Sequence, residues 1–164
     1  MPAPSKVLPG FAAALYCQPT ATPTPFTTAA LATVATVAAL AVTANQLPVE
    51  AVPVFGQDAA VATFAVAGSR QSDKIPVQSA PTSLTVTAAW NPSDANLLLM
   101  RGDAATGTVD RTFVIAALDG AAAVYYAFNG RVSMFHIDSQ PGAEAKCVFS
   151  IHPRGNQFGW SNAA

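Results

Sequence analysis

Short segments rich in apolar, β-branched and aromatic residues recur along this chain, and proline- or glycine-containing segments separate many of them. The segments that predict strands are residues 10–18, 59–67, 83–90, 110–118, 121–128, 131–137 and 143–152. Two prolines in residues 47–55 indicate an edge strand or an extended segment there, because proline cannot donate a backbone hydrogen bond. A run of short strands of this kind predicts a mainly β fold, either a β-sandwich or an open barrel.

One helix interrupts the strands, and we predict it over residues 93–101. Ser93 and Asp94 next to a proline are a typical helix start, and Gly102 is suited to end the helix. Arg101, Gly102 and Asp103 also form the tripeptide that adhesion proteins display, but the helix-ending role of Gly102 is sufficient to explain it.

Glycine-containing pairs mark the turns between the later strands. Asp119-Gly120 predicts a tight hairpin turn, and the Pro141-containing segment 140–142 predicts another turn. Asn129-Gly130 has two interpretations, a second hairpin turn or a bulge inside a longer strand. The local sequence leaves both interpretations open.

Three segments show no clear periodicity. Residues 1–10 contain three prolines and predict an extended arm, and residues 153–164 predict a tail that carries Phe158 and Trp160. Residues 68–82 are the most polar part of the chain and predict a long loop or an extended hairpin. Long loops in compact domains are uncommon and are usually functional.

Residues 26–44 carry no charge and are rich in alanine and threonine. Their threonines favour a strand, or a strand plus a loop, and this is our expectation. A three-residue spacing would suit a helix instead, and it relates Leu31, Val34, Val37 and Leu40. The length approaches that of a membrane span, but no basic flank or aromatic belt accompanies the segment.

Composition limits the classes of function. The 164 residues suit a single domain, and 51% are hydrophobic while only 10% are charged, against about 25% in typical proteins. So few charges suggest a surface that is covered by partners or lies in a membrane. The net charge is −1 and the cations are scattered, so tight sequence-independent binding of nucleic acid is not expected.

No motif in the sequence indicates catalysis, and we expect no catalytic residue, metal or cofactor. His136, Asp138 and Ser139 are close in sequence, but positions i and i+2 share one strand face and do not by themselves give a triad. Cys17 and Cys147 lack metal-ligand spacing, and we expect two buried thiols, with a disulfide left open.

The C-terminal half of the chain resembles the tail tube proteins of siphophages. The resemblance lies in the order of TSLTVTAAWNPSDANLLLMRG, RTFVIAALDG, YYAFNGRVSMF and AEAKCVFSIHPRGN. It implies a β-sandwich flanked by a helix, with six copies in a ring and rings stacked into a hollow tube. It also implies that Asn129 and Gly130 lie as a bulge within one long bent strand.

The resemblance further implies a location, partners and contact residues. The protein would be assembled in the bacterial cytoplasm into a virion tail, with a tape measure protein, terminator or tip proteins, and passing double-stranded DNA as partners, and with no membrane. The segment 68–82 and the termini would bridge rings, with contact candidates Arg70, Asp73, Lys74, Ile75, Val77, Phe158 and Trp160. Residues expected to support the core or the fold are Trp90, Leu98, Phe113, Tyr126 and Gly130. The alternatives are a capsid decoration protein, another virion β-protein, or a β-sandwich binding module.

Overall fold

The computed structural model describes residues 12–19, 34–65, 72–119, 122–139, 141–154 and 159–162. Its strands are β1 (Ala12–Cys17), β2 (Gln57–Ala65), β3 (Ser72–Pro81), β4 (Leu84–Ala89), β5 (Arg111–Asp119), β6 (Ala122–Asp138), β7 (Lys146–Pro153) and β8 (Gly159–Asn162). Its helices are α1 (Val34–Leu40), a 3-10 turn (Thr43–Asn45) and α2 (Ala95–Thr106). The predicted mainly β class is confirmed.

The main sheet is organised around β6, which is 17 residues long. The strand order is β1-β5-β6-β7-β4, and every pair is antiparallel. Gly130 pairs with Arg111 of β5 and with Pro153 of β7, so these two strands lie on opposite edges of β6. The first half of β6 therefore pairs with β5 and the second half with β7, while β8 continues the line of β7 along the first half.

The segment of residues 46–50 joins the two ends of this sheet. The Leu47 amide donates to the Leu15 carbonyl of β1 at 2.8 Å, and the Glu50 amide donates to the Thr87 carbonyl of β4 at 3.0 Å. Main-chain hydrogen bonds thus link the edge strands of the curled sheet to each other. Such closure removes open edges that would otherwise pair with other chains.

The core fills the inside of the curled sheet and is covered at one end by α2. Phe113 and Phe128 are buried and stacked, with ring centroids 5.6 Å apart. Cys17 and Cys147 are buried free thiols, and burial raises the pKa of Cys17 to about 12. Both cysteines therefore pack as small apolar side chains and stay protonated at neutral pH.

Leu98 does not enter the core, contrary to our expectation, and is 45% exposed. Helix α2 turns Leu97 and Met100, three residues apart, towards the sheet, and both are fully buried. Leu98 follows Leu97 by a rotation of about 100° and so lies to one side of that face. Trp90 and Tyr126 are half-buried at the margin of the core.

Helix α1 covers the outer face of β5 and β6. A strand was predicted for residues 26–44, and this prediction was wrong for the described residues 34–40, which form α1. Val37 is fully buried against Val114 and Ala127. The three-residue apolar spacing and the helix propensity of alanine outweigh the threonines here. None of the helices in the described ranges is long and apolar enough to cross a membrane.

Helix α2 starts as predicted but extends past Gly102. The Asp94 carboxylate accepts hydrogen bonds from the amides of Asn96 and Leu97 at 2.9 and 3.1 Å, which caps the first turn. The helix ends at Gly107, whose φ of 64° suits glycine. Asp103 is buried inside the longer helix, so the adhesion tripeptide is not displayed.

Strand β6 runs without interruption through Asn129 and Gly130, so the hairpin alternative at this pair was wrong. The bulge expected there is also absent, and the pairing with β7 shifts register between Val132 and Met134 instead. Gly130 does not have a positive φ. Gly142 does, at 82°, in the turn predicted over residues 140–142.

Close packing explains the glycine at position 130. A Cβ there would lie 2.9 Å from Ile151 Cγ2 and 3.2 Å from the His152 carbonyl oxygen. We expect Gly130→Ala to lower the free energy of unfolding by about 1–3 kcal/mol through overpacking. The matched control is Gly102→Ala, where a Cβ meets nothing within 4 Å, and we expect it to raise that free energy by about 0.5–1 kcal/mol. Urea denaturation of both variants checks this, and equal stabilities would contradict it.

Candidate assembly surfaces

Strands β2 and β3 pair with each other in a two-stranded sheet, the β2–β3 arm (residues 57–65 and 72–81), which is separate from the main sheet. Its strands pair from Gln57 with Pro81 to Ala65 with Ser72, and the Thr82 amide closes its base on the Gly56 carbonyl at 3.1 Å. Apart from isolated contacts, neither strand packs against another described helix or strand. With about 3.3 Å per residue, nine paired residues extend roughly 30 Å.

The arm corrects the loop interpretation of residues 68–82. Residues 72–81 are strand, so of the two predicted alternatives the extended hairpin fits this part of the segment, and residues 68–71 lie outside the described residues. The pairing shifts register between Ala60 and Val61, which pair with Gln78 and Pro76 and leave Val77 as a bulge.

The predicted contact candidates fall into separate groups. Asp73, Lys74, Ile75 and Val77 lie together on β3. Trp160 lies on β8, paired opposite Tyr126, so this part of the predicted tail is a strand of the main sheet. The remaining candidates, Arg70 and Phe158, and the predicted arm of residues 1–10 lie outside the described residues.

A second surface lies where α2 runs beside the second half of β6. Residues 131–138 pair with β7 on one edge, and no described strand pairs with them on the other edge. An open groove of about 440 Å³ lies here, lined by Arg101, Ala104, Ala105, Phe135, His136 and Ile137. Leu98 and Ile137, which are 45% and 44% exposed, add apolar surface to this region.

The outer face of β4, β7 and β6 is polar and crossed by side-chain hydrogen bonds. His152 contacts Ser83 Oγ through Nδ1 at 2.8 Å and Ser133 Oγ through Nε2 at 2.5 Å. Both ring nitrogens of His152 therefore contact serine hydroxyls. In a hydrolase triad, one of these nitrogens would instead contact a carboxylate that orients the ring. The cluster links β6 and β7 to the residue that precedes β4, and the separation of 69 residues between Ser83 and His152 kept it from being recognised in the sequence.

Ion pairs neutralise most of the charges near this face. Asp110 accepts from Arg131 Nε at 2.6 Å and from Arg154 Nη1 at 3.1 Å, and Lys146 Nζ lies 2.5 Å from Glu50 Oε1. Burial acts to raise the pKa of Asp110, but the hydrogen bonds from both arginines outweigh it and hold the pKa below its usual value. This contribution to stability is present above the unfolded-state pKa and is lost as the pH falls.

Within the described ranges, no three His, Cys, Asp or Glu side chains lie close enough to hold a metal ion. His136 and Asp138 are exposed on β6, and the structure places neither in a buried site. The features that stand out are therefore the arm, the groove and the open strand edge, which are surfaces suited to contact with another chain.

No protein family model matches the chain, and no curated protein matches it. Among solved structures, it is similar to a chain in the cryo-EM structure of the anti-feeding prophage baseplate, which was determined with six-fold symmetry. The TM-score is 0.60 at 13% sequence identity, over 92% of this chain and 92% of that chain. The chain therefore shares its curled β-sheet fold with a component of that prophage baseplate.

Proposed function

We propose that this protein is a structural subunit of a phage-type tail, and that its copies form six-membered rings that stack into a tube. In this role it has no catalytic activity and needs no cofactor. The observation that carries the proposal is the β2–β3 arm, which forms a separate two-stranded sheet and makes at most isolated contacts with the other described helices and strands.

A two-stranded hairpin without packing partners is at best marginally stable in water. The arm also presents backbone groups along its two outer edges, which pair readily with strands of another chain. Docking onto a neighbouring subunit would satisfy those groups and offset the entropy of ordering the arm. An interface of this kind is head-to-tail, because the arm and its receiving surface differ, and such contacts produce rings or filaments.

Two further observations support the tube over other assemblies. The similar chain belongs to a baseplate resolved with six-fold symmetry, which suggests a six-membered ring for this protein as well. The charges on the outer face of β4, β7 and β6 are mostly paired, so this face would attract DNA phosphates only weakly. Weak attraction suits a lumen through which DNA has to slide.

Negative-stain electron microscopy of the purified protein over a concentration series tests the proposal. We expect rings or hollow tubes of uniform width in the absence of detergent. The control variant replaces residues 57–81 with Asn-Gly, a favoured two-residue hairpin turn, between Gly56 and Thr82, whose amide already donates to the Gly56 carbonyl at 3.1 Å. It should remain a folded monomer, because the body does not pack on the arm.

Sedimentation velocity and circular dichroism on the same samples separate loss of assembly from loss of folding. A wild-type protein that stays monomeric at every concentration would overturn the proposal. Closed assemblies that never stack would favour a capsid decoration protein instead.

A further inference from the structure

We propose that the groove between α2 and the second half of β6 receives the β2–β3 arm of a second copy, with Arg101 facing Asp73 of that arm. This inference rests on the proposed self-assembly and assigns the receiving surface for the arm.

The shape of the receiving surface suits a strand. Residues 131–138 of β6 pair with β7 on one edge. On the other edge, β5 begins at Arg111, which pairs with Gly130, so no described strand lies beside residues 131–138 there. A strand from another chain can pair along that edge with main-chain hydrogen bonds. The small side chains of Ala104 and Ala105 on α2 leave room for a backbone to lie close to the helix.

The apolar character of the surface suits this arm. Leu98 and Ile137 are both almost half exposed, although large apolar side chains gain stability from burial. Strand β3 supplies Ile75 and Val77 from an arm that has at most isolated contacts with the other helices and strands that the structure describes. Docking would cover apolar residues on both partners.

Charge identifies the pair of residues. The lysines and arginines whose side chains the structure describes are Arg101, Arg111, Arg131, Lys146 and Arg154. All of these except Arg101 form ion pairs with described acidic residues. Arg101 is exposed and lines the groove, so it presents an unneutralised cation to whatever binds there.

The arm carries two acidic residues, Asp58 and Asp73. Asp58 pairs with Ala80 near the base, whereas Asp73 pairs with Phe64 at the far end, where the arm reaches away from its own body. Asp73 and Ile75 share one face of β3, because alternate residues of a strand do so. Strand β3 therefore carries an acidic residue and an apolar residue two positions apart, which matches a groove that is lined by Arg101 together with Phe135 and Ile137.

Charge reversal tests this contact. We expect Arg101→Asp and Asp73→Arg each to raise the protein concentration needed for assembly roughly tenfold, and the double variant to restore assembly close to the wild-type level. The matched control combines Arg101→Asp with Glu144→Lys, which also keeps the net charge but places the new cation on an exposed turn. This control should not restore assembly.

Cross-linking provides a second measurement that does not depend on charge. Under an added mild oxidant such as copper phenanthroline, Ala105→Cys combined with Ile75→Cys should give disulfide-linked ladders of chains on a non-reducing gel. The native cysteines are buried, so they should not contribute to these cross-links. If the wild-type protein assembles but both charge reversals assemble equally well and no ladder forms, this inference is overturned while the proposed function stands. If the wild-type protein does not assemble at all, the proposed function itself fails.

Discussion

Replacing Arg111 with methionine should lower the free energy of unfolding by about 3–5 kcal/mol. Arg111 donates from Nη2 to Asp103 Oδ1 at 2.9 Å and from Nε to Oδ2, and its Nη1 donates to the Pro19 carbonyl. Both side chains of the ion pair are 7% exposed. The substitution would leave the Asp103 carboxylate buried without its counterion, and it would also release the chain that follows β1.

A double-mutant cycle measured by urea denaturation checks this result. Asp103→Leu together with Arg111→Met should recover most of the loss, because an apolar pair of similar volume is often as stable as a buried ion pair. Arg131→Met serves as the control, since the Arg131 side chain is 35% exposed and Asp110 keeps Arg154 as a partner. We expect it to cost less than about 1 kcal/mol. An Arg111→Met protein as stable as this control would show that the buried pair contributes little.

The strands could be predicted because their signal is local. Alternation with a period of two placed β4 and β7, and a short run of β-branched and aromatic residues placed β5, within a few residues of their observed bounds. The start of α2 could also be predicted from the sequence, because the Asp94 side chain caps the helix by accepting hydrogen bonds from amides only two and three residues away. Features of this kind depend on neighbours in the sequence.

The end of α2 depends on distant residues. Gly102 is a plausible helix end on local grounds, yet the helix continues because Asp103 is held by Arg111 of β5 and Gly107 supplies the positive φ. The conformation of Asn129-Gly130 also depends on distant residues. Gly130 pairs with both β5 and β7, and these pairings keep β6 continuous at this position. Neither outcome can be read from a window of a few residues.

The candidate assembly surfaces were only partly predictable. The polarity of residues 68–82 marked the segment as unusual, but its pairing with β2 and its separation from the main sheet are properties of the folded chain. The groove escaped prediction because α2 and the second half of β6 meet only in three dimensions. The distinction between Leu97 and Leu98 required the angle at which α2 lies on the sheet.

Deleting Ser133 should destabilise the protein by at least as much as truncating a buried phenylalanine, about 3–5 kcal/mol. Ser133 is the extra residue where the pairing of β6 with β7 shifts register. Before it, Val132 lies opposite Ile151, and after it Phe135 lies opposite Phe149, so both face the core. Without the extra residue the side chains that follow would exchange faces.

The exchange would move Phe135 out of an aromatic cluster. Its ring is stacked on Phe149 with centroids 6.1 Å apart and meets the ring of Trp90 edge-on at 5.6 Å. Met134 and the exposed His136 would turn inward instead, and an imidazole facing the core loses its hydration. The three groove-lining residues on β6, Phe135, His136 and Ile137, would also lose their present orientation.

Two controls separate the register effect from other consequences, with urea denaturation as the measurement. Ser133→Ala keeps the extra residue and removes only the hydroxyl that contacts His152 Nε2, so we expect a change within about 0.5 kcal/mol. Deleting the exposed Ser139, which follows β6 outside the paired segment, tests a one-residue deletion that leaves the register intact. If the Ser133 deletion were no more harmful than the Ser139 deletion, β6 would be able to slip without loss. The bulge would then not be what directs Phe135 to the core and shapes the groove beside α2.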